Sequence, residues 1–409
     1  MKIMVVNAHW NNRGDEAAVR AMIDELQQEY PNSKITVQIM LDQIDQFPYD
    51  GNIQAIPLYP RKKNYPECLL ACLTKGHLVF SRKGKQFFRS LREADLVLHA
   101  PGGPSIGDIY VTTGEINYLI KFLLIHWFKK PYLFYAPSMG PFRSKKHRRL
   151  RQYALNHADM ICVREPITKQ YLQEQLGIEK EIKVTLDSAF QHPIDVTENE
   201  KKLDSYPALK KFLNNASKVI VLTITDLSWN PKYQQEKPLQ EQIRTSFDFF
   251  IDQMIQKGYS ILFIPQLFGS FNDRNYMLSF QRENCFVMED TYDCYFQQYI
   301  ISQVDAVVGM RYHSNIFSAK MAIPFISVSY EQKMKGFMQK VGLEDYCIEL
   351  QNLSSKELLD KFALLEEHYR EYKNLLEERS VELKEESHRT TDFVINYIET
   401  KGLYEHGDA

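Results

Sequence analysis

KIMVVNAHWNNRGDEAAVRAMIDELQQEYPNSKITVQIM, residues 2–40, reads as one complete strand–helix–strand unit. The apolar run Ile3–Val6 predicts a strand, Glu16–Tyr30 has helical spacing and ends at Pro31, and Ile35–Met40 predicts a second strand. Continuous apolar runs are typical of parallel strands that helices cover on both faces. The opening therefore predicts an α/β fold with a mostly parallel sheet.

The same alternation of apolar runs and helical patterns continues in two blocks. In the first block, the later strand-like runs are Leu96–His99, Tyr132–Tyr135, Met160–Val163 and Ile182–Thr185. In the second block, they are Val219–Ile224, Tyr259–Ile264, Phe286–Met288, Ala306–Val308 and Phe325–Ser329. A turn signal or a polar helical pattern follows each run, as in parallel sheets with helical crossovers.

These blocks predict an N-terminal domain over 1–192 and a C-terminal domain over 218–345. The charged stretch between them, 193–217, is expected to be a linker with one short helix. Residues 346–409 carry an amphipathic pattern after a helix cap at Ser354, and they predict C-terminal helices. A coiled coil is the alternative, but the apolar register is not sustained, so packing across the two domains is favoured.

Composition limits the classes of partner. The 409 residues include 44% hydrophobic residues, enough for two cores, and the formal net charge is -2. Residues 1–192 carry 26 Lys and Arg against 19 Asp and Glu, so the first half is the basic half. This imbalance favours small anionic substrates such as phosphoesters and is too mild for nucleic-acid binding, which we do not expect.

The sequence also limits the cellular location. The N-terminus has no secretory signal pattern, and six cysteines without a Cys-x-x-Cys pair predict neither a metal site nor disulfides. The most apolar segment, Ile116–Phe128, contains Lys121 and His126 and is shorter than the roughly 20 residues of a membrane span. A buried helix is our interpretation, with a membrane-docking surface beside Lys129 and Lys130 as the alternative. We expect a cytoplasmic protein and leave open a place at the inner face of the membrane.

Three loops at the carboxyl ends of predicted strands contain candidate binding residues. Asn12 and Asp15 follow the first strand, and Gly102 and Gly103, with Asp108 beyond them, follow Leu96–His99. Ser138 lies in a third such loop, after Tyr132–Tyr135. A helix cap at Asp15 and a plain glycine turn are the alternative explanations. Because ligands of open α/β sheets bind at this edge, three converging loops favour a site.

Two arginines and a histidine are the strongest candidates for anion binding and chemistry. Arg164 stands between a strand and a helix start, and an ion pair with Glu165 is its alternative role. Arg311 and His313 follow a buried strand that breaks at Gly309, and on an extended segment they share a face. A helix beginning near Ser314 would add its N-terminal amides. A buried guanidinium without an anion is costly, so a bound anion is favoured over a purely structural pair.

The order of these motifs resembles the polysaccharide pyruvyl transferase family over most of residues 1–345. The matching pieces are Asn12–Ala17, Gly102-Gly103 with Asp108, Ser138–Pro141, Val163–Pro166, Asp187–Ala189, and Gly309–His313 with Tyr330, Lys333 and Gly336 beyond. Each piece is weak alone, but their order and spacing are specific. The chain departs from the family pattern at Pro104, where a third glycine is common, and at Tyr312, where an aliphatic residue is usual.

The resemblance implies two Rossmann-like domains facing each other across a cleft, in the GT-B-like arrangement, with no required cofactor. It implies phosphoenolpyruvate as donor and a glycan acceptor, and it leaves open whether the acceptor is lipid-linked. Arg164, Arg311 and Lys333 would bind phosphoenolpyruvate, and His313 would be the general acid. The acceptor would meet Asn12, Asp15, Gly102, Gly103, Asp108 and Ser138.

Two rival functions remain from the residues alone. A two-domain α/β architecture also suits a nucleotide-sugar glycosyltransferase, because fold does not fix chemistry. A non-catalytic glycan-binding protein could use the same scaffold and would tolerate the loss of His313.

Overall fold

The structure is a computed structural model, which describes residues 1–40, 44, 47–103, 106–108, 114–230, 232–269 and 272–404. Pro104, one of the two departures from the family pattern, lies outside these residues. The chain divides into two compact units. Unit one comprises 1–11, 15–192 and 385–409, and unit two comprises 12–14 and 193–384.

Unit one is built on a seven-stranded parallel sheet. Its strands are β1 (Lys2–His9), β2 (Lys34–Met40), β3 (Ile53–Pro57), β4 (Leu96–His99), β5 (Tyr132–Phe134), β6 (Met160–Val163) and β7 (Ile182–Val184). Their order is β3-β2-β1-β4-β5-β6-β7, the Rossmann order extended by one strand. The helices are α1 (Arg13–Glu29), α2 (Tyr65–Leu73), α3 (Arg82–Glu93), α4 (Glu115–Trp127), α5 (Arg148–Asn156) and α6 (Pro166–Gln170).

Unit two repeats this plan with six parallel strands. They are β8 (Val219–Thr223), β9 (Ser260–Phe263), β10 (Cys285–Val287), β11 (Ala306–Gly309), β12 (Phe325–Ser329) and β13 (Cys347–Glu349), in the order β10-β9-β8-β11-β12-β13. The helices are α7 (Val196–Asp204), α8 (Pro207–Asn215), α9 (Lys237–Gln256), α10 (Asp273–Leu278), α11 (Cys294–Ile301), α12 (Tyr312–Lys320), α13 (Gln332–Val341) and α14 (Ser355–Glu367). A last helix, α15 (Tyr369–Thr400), belongs to unit two up to Lys384 and to unit one beyond it.

The central strands are buried on both faces, which explains why their sequences are runs of mostly apolar residues. Every residue of β4, β6, β8, β11 and β12 is buried. The register of β1 shifts between Val5 and Ala8, where Asn7 takes a left-handed backbone with φ 64°. The predicted α/β class with mostly parallel sheets is confirmed.

The stretch 193–217 differs from the expected linker with one short helix. It contains two helices, α7 and α8, and belongs to unit two. Asp195 caps α7 by accepting a hydrogen bond from the Glu198 N–H at 2.9 Å, and Pro207 starts α8. Charged residues cover the outer faces of these helices, while Asn199 and Leu209 are buried beneath them. The charge run is therefore a solvated helix surface.

The apolar segment Ile116–Phe128 is largely the buried helix that the sequence predicted. Within α4, Leu119, Phe122 and Ile125 are completely buried. Lys121 is also buried and donates a hydrogen bond to Asn7 Oδ1 at 2.6 Å. Burial lowers the pKa of Lys121 well below its ordinary value. Outside the gaps named above, no helix combines the length and the apolar character needed to cross a bilayer.

Candidate active site

In each unit, all strands end at one edge, and the strand order reverses beside the first strand of the unit. The loops after β1 and β4 flank the reversal in unit one, and those after β8 and β11 flank it in unit two. Open α/β sheets bind their ligands at this position. Most of the sequence-predicted site residues lie in or beside these loops.

In unit one, Asp15 and the glycine pair are in direct contact. Asp15 Oδ1 accepts a hydrogen bond from the Gly103 N–H at 2.8 Å. Gly102 has a φ of +115°, and a Cβ added there would lie 2.8 Å from the same oxygen, so this close approach requires glycine. The cap of α1 is made by Asn12, whose Oδ1 accepts from the Gly14 N–H at 2.8 Å. Asp15 therefore binds the glycine loop. The residue that caps the helix is Asn12, and not Asp15 as the alternative explanation had it.

Ser138 and Arg164 continue this line of contacts along the carboxyl edge. The Ser138 N–H donates to the Gly102 carbonyl oxygen at 3.1 Å. Arg164 Nε donates to Ser138 Oγ at 2.7 Å, and its Nη1 donates to Asp187 Oδ2 at 2.5 Å. Asp15, the glycines, Ser138, Arg164 and Asp187 thus form one connected group.

The charge of Arg164 is balanced inside unit one. Arg164 is 2% exposed, and Asp187, with which it pairs, is completely buried. A longer contact of 3.3 Å joins Arg164 Nε to Glu165, the ion pair that was the alternative role. The guanidinium therefore has carboxylates of its own, and its burial does not require a bound anion.

Asp108 belongs to a different network. Its Oδ1 accepts from Arg151 Nη1 at 3.1 Å, and its Oδ2 accepts from the Ser144 N–H at 2.9 Å. Arg151 is fully buried against Glu115, whose Oε1 also accepts from the Gly107 N–H at 2.8 Å. These contacts fix the backbone around Gly107. The structure thus places Asp108 in a buried ion-pair network and not in the contact group of Asp15.

In unit two, Arg311 lies at the strand reversal and is paired with Asp273. Arg311 Nε donates to Asp273 Oδ2 at 3.1 Å, and Nη2 donates to Asp273 Oδ1. The guanidinium also lies 4.9 Å from the centroid of the Trp229 ring, a cation–π contact. Burial lowers the pKa of Arg311 and the Asp273 charge raises it, with a net rise, so the group stays charged.

This pairing corrects the expectation that a buried Arg311 requires an anionic ligand. Its anion is a carboxylate of the same unit, 38 residues earlier in the chain. Asp273 is itself well satisfied, because its Oδ2 also accepts from the Leu267 N–H at 2.9 Å. Burial of the arginine alone therefore carries no evidence for a ligand. The Nη1 nitrogen of Arg311 makes neither of the two bonds to Asp273.

The helix after β11 begins earlier than predicted, at Tyr312 instead of near Ser314. Arg311 is the residue that precedes α12, and His313 lies in its first turn, so the two are not on one extended segment. Ser314 explains the early start, because its Oγ donates to the Arg311 carbonyl oxygen at 2.6 Å and accepts from Thr223 Oγ1 at 2.7 Å. The side chain of His313 is thus placed at the N-terminus of a buried helix.

His313 packs directly on the backbone of Gly14. A Cβ added to Gly14 would lie 1.9 Å from His313 Nδ1 and 2.0 Å from its Cγ. No side chain fits in this space, so the glycine is required for a steric reason. His313 is 6% exposed, and its ring lies 5.1 Å from that of Tyr312.

Lys333 lies close to this helix start. Its Nζ lies 5.3 Å from the centroid of the Tyr312 ring and 2.7 Å from Glu331 Oε2. Tyr312 therefore provides an aromatic face for Lys333. Burial raises the pKa of the neighbouring Tyr330, which keeps its phenol protonated. The structure thus brings Lys333, Tyr312 and His313 together.

Sequence reasoning left Arg13 out of the site, although it stands in the first polar loop. The structure groups residues 12–14 with unit two, where Arg13 Nη2 donates to the Asp290 carbonyl oxygen at 2.6 Å. Its guanidinium also lies 4.3 Å from the centroid of the Phe268 ring. The motif around Asn12 was the available signal, but no sequence pattern connects it with His313. Asp273 also went unpredicted, because no local motif surrounds it.

The predicted residues therefore fall into separate groups. Arg164 belongs to unit one and Arg311 to unit two, so neither unit alone joins the two arginines that the resemblance assigns to one donor. Within the described parts of the chain, no three His, Cys, Asp or Glu side chains are grouped so that they could hold a metal ion.

Comparison with known proteins identifies the family. Residues 12–332 match polysaccharide pyruvyl transferase. The chain belongs to the polysaccharide pyruvyl transferase family. The match begins at Asn12, two residues before Gly14, and it includes Arg164, Arg311 and His313. Membership of the pyruvyl transferase family makes the chain a transferase.

One relative in sequence supports polysaccharide biosynthesis. The amylovoran biosynthesis protein AmsJ of Erwinia amylovora is 23% identical over 401 residues, covering 91% of this chain and 93% of the relative. A polysaccharide-modifying transferase is the coarse function that the family and this relative support.

Similar solved structures establish the fold. Anabaena HepE, in complex with UDP-glucose, matches with a TM-score of 0.60 and 10% identity, covering 98% of this chain and all of that one. The UDP-GlcNAc 2-epimerase of Neisseria meningitidis, bound to UDP-GlcNAc, matches with a TM-score of 0.58 and 14% identity, covering 97% of this chain and all of that one. The prediction of two Rossmann-like domains of GT-B-like type is thus confirmed for this pyruvyl transferase family member.

Proposed function

We propose that this protein transfers the pyruvyl unit of phosphoenolpyruvate to a sugar diol of a polysaccharide or its precursor, forming a pyruvate ketal. The observation that carries the proposal is the packing of His313 on Gly14, beside Arg311. Two segments about 300 residues apart in sequence meet there, and an imidazole and an arginine follow the same strand of unit two, at the edge where open α/β sheets bind ligands.

The reaction needs a proton donor and an anion site. A proton is added to the methylene carbon of phosphoenolpyruvate, which becomes the methyl group and leaves an oxocarbenium-like centre at the neighbouring carbon. One sugar hydroxyl adds to this carbon and loses its proton, and the C–O bond to phosphate breaks. A second hydroxyl then adds to the same carbon and loses its proton, which closes the ketal. Inorganic phosphate is the second product.

We assign the proton donor to His313. An imidazole nitrogen can both donate and accept a proton, so it can give a proton to carbon and regain one from a sugar hydroxyl. Its place in the first turn of α12 also sets it beside the positive end of a helix dipole, which favours a phosphate or carboxylate there.

We assign the donor's charged groups to Arg311 and Lys333, with Arg13 as an additional cation. Nε and Nη2 of Arg311 bind Asp273, and Tyr330 also hydrogen-bonds the guanidinium, so the donor would approach Arg311 from the side away from Asp273, next to Tyr330. Asp273 would then hold the guanidinium plane in a fixed orientation, which reduces the cost of ordering it on binding. Arg164 binds Ser138 and Asp187, and we assign it to positioning the Ser138 loop instead of gripping the donor.

We assign the acceptor to the connected group of unit one, Asp15 with Gly102, Gly103 and Ser138. A carboxylate and a hydroxyl are groups that bind sugar hydroxyls. Asn12 caps α1, and Asp108 belongs to the ion-pair network of Arg151, so both lie outside this connected group and we expect them to support the loops without contacting the sugar.

Phosphate release from phosphoenolpyruvate tests the proposal, measured across a panel of acceptor glycans, including lipid-linked ones. We expect release that depends on both the enzyme and one class of acceptor. A parallel thermal-shift titration compares phosphoenolpyruvate with UDP-GlcNAc, because a ligand of the native state raises its melting temperature. Stabilisation by UDP-GlcNAc alone, with no phosphate release, would favour a nucleotide-sugar glycosyltransferase and would reject the proposal.

A further inference from the structure

One face of unit one combines exposed apolar side chains with a high density of positive charge. We call it the α2 face and define it by the exposed apolar residues Leu69, Leu73, Leu78, Phe80 and Trp127 and the basic residues between 61 and 85. The five apolar side chains are 50–73% exposed. Large apolar side chains that cluster at the surface mark interaction sites, whereas scattered ones need no explanation.

The apolar side chains of the α2 face lie on one contiguous piece of structure. Leu69 and Leu73 are four residues apart on α2, so they project from the same side of the helix. The indole N–H of Trp127, at the end of α4, donates to the Cys72 carbonyl oxygen at 3.2 Å. The Phe80 N–H donates to Glu67 Oε1 at 2.8 Å, which fixes the following loop against the start of α2.

The charge of this face is strongly positive. Residues 58–86 contain seven Lys or Arg and a single acidic residue, Glu67, in a protein whose formal net charge is -2. Glu67 is turned inward, where it accepts hydrogen bonds from the Ser81 N–H at 2.6 Å and Tyr59 OH at 2.9 Å. Its carboxylate therefore stabilises the loop by these hydrogen bonds and does not neutralise the outer cations.

A cavity at the start of α3, close in sequence to Phe80, adds to this charge. It has a volume of about 490 Å³ and is lined by Arg61, Arg82 and Lys83 together with apolar residues that include Ile39 and Leu58. Arg82 and Lys83 form the first turn of α3, whose N-terminal dipole adds to the positive potential. Such a cavity suits the phosphate of a headgroup with the start of its apolar portion.

We propose that the α2 face is a docking surface for an anionic lipid bilayer. Leucine and aromatic side chains enter the interface between headgroups and acyl chains, while lysine and arginine bind anionic headgroups. The core of a protein–protein interface is depleted in lysine, whereas this face combines exposed apolar side chains with several lysines, which favours a membrane over a protein partner. This surface is separate from the residues assigned to the reaction.

Vesicle co-sedimentation without substrate tests this docking surface. We expect binding to vesicles of phosphatidylcholine and phosphatidylglycerol in a 3:1 ratio, weak binding to phosphatidylcholine alone, and a fall in binding as salt rises. The double substitution Phe80→Ser with Trp127→Ser should weaken binding on the order of tenfold or more. Arg82→Glu with Lys83→Glu should do so by a similar factor, because each basic residue near an anionic surface adds about 1 kcal/mol.

Matched controls use exposed residues elsewhere. Phe249 and Val381 are 49% and 60% exposed, and replacing both by serine should leave vesicle binding unchanged. An equal loss of vesicle binding in this control would overturn the docking surface. Wild-type binding that does not depend on phosphatidylglycerol would overturn it as well. Wild-type self-association that Phe80→Ser with Trp127→Ser abolishes, without any vesicle binding, would also overturn it and assign the face to a second copy of the chain. Phosphate release with a soluble acceptor should be the same in all these variants. The docking proposal and the proposed reaction are therefore tested separately.

Discussion

Gly14→Ala tests the contact on which the proposed site depends. An added Cβ would lie 1.9 Å from His313 Nδ1, while ordinary contacts begin near 3.4 Å, so the ring or the loop must move by about 1.5 Å. A misplacement of about 1 Å in a catalytic group can lower turnover on the order of 10²-fold. We expect a loss of turnover of at least that size. Crowding of the buried ring should also lower the free energy of unfolding by about 1–3 kcal/mol.

Gly336→Ala is the matched control for this substitution. Gly336 lies inside α13, and a Cβ added there meets no heavy atom within 4 Å. Replacing a glycine inside a helix by alanine should raise the free energy of unfolding by about 0.5–1 kcal/mol and leave turnover unchanged.

Phosphate release, donor affinity and melting temperature should be measured on one preparation of each variant. Gly14→Ala should stay folded at the assay temperature while losing turnover. Wild-type turnover and stability in Gly14→Ala would refute the close approach of His313 to Gly14 and with it the assignment of this site.

Three further substitutions separate chemistry, binding and stability. His313→Ala should keep its affinity for the donor and lose turnover on the order of 10²–10⁴-fold. If His313 were purely structural, activity would fall only in proportion to the fraction of protein that is unfolded. Arg311→Lys should weaken phosphoenolpyruvate binding and lower the melting temperature, because lysine cannot hold Asp273 and the donor with a planar fork; wild-type affinity in a titration would remove Arg311 from the donor site. His99→Phe should flatten the acid side of the stability curve. Burial lowers the pKa of His99 from 6.5 to about 3, so the unfolded chain takes up a proton below pH 6.5 while the folded protein does not. Because of this residue, the free energy of unfolding of the wild type should fall by about 2 kcal/mol between pH 7 and pH 5, as measured by denaturant unfolding. The same fall in His99→Phe would contradict this assignment to His99.

The sheets were predictable because their central strands are buried on both faces. Leu96–Leu98 and Met160–Val163 are apolar throughout, and the structure has strands over Leu96–His99 and Met160–Val163, the bounds that the sequence predicts. β3 (Ile53–Pro57) was missed because it lies at a sheet edge, where its burial is mixed and the sequence has no continuous apolar run. The expected linker over 193–217 was misread because charge on a solvated helix surface looks like charge in a loop.

The site was predictable only where its residues are local in sequence. Asp15 and the glycines stand in recognisable loops, and Arg311 and His313 follow a buried strand. The partner of Arg311 could not be predicted, because Asp273 is 38 residues away and its own surroundings contain no motif. The contact between Gly14 and His313 spans almost 300 residues, and only a folded chain reveals it.

The central claim is the chemistry, and the most direct measurement is the product formed from phosphoenolpyruvate and a glycan acceptor in D₂O. Mass spectrometry and NMR of the acceptor should show one added pyruvate ketal whose methyl group carries a single solvent deuteron, with one inorganic phosphate released for each ketal. A ketal without solvent deuterium would contradict protonation at the methylene carbon. An acceptor that is left unmodified by phosphoenolpyruvate but is glycosylated from a nucleotide sugar would contradict the proposed function itself.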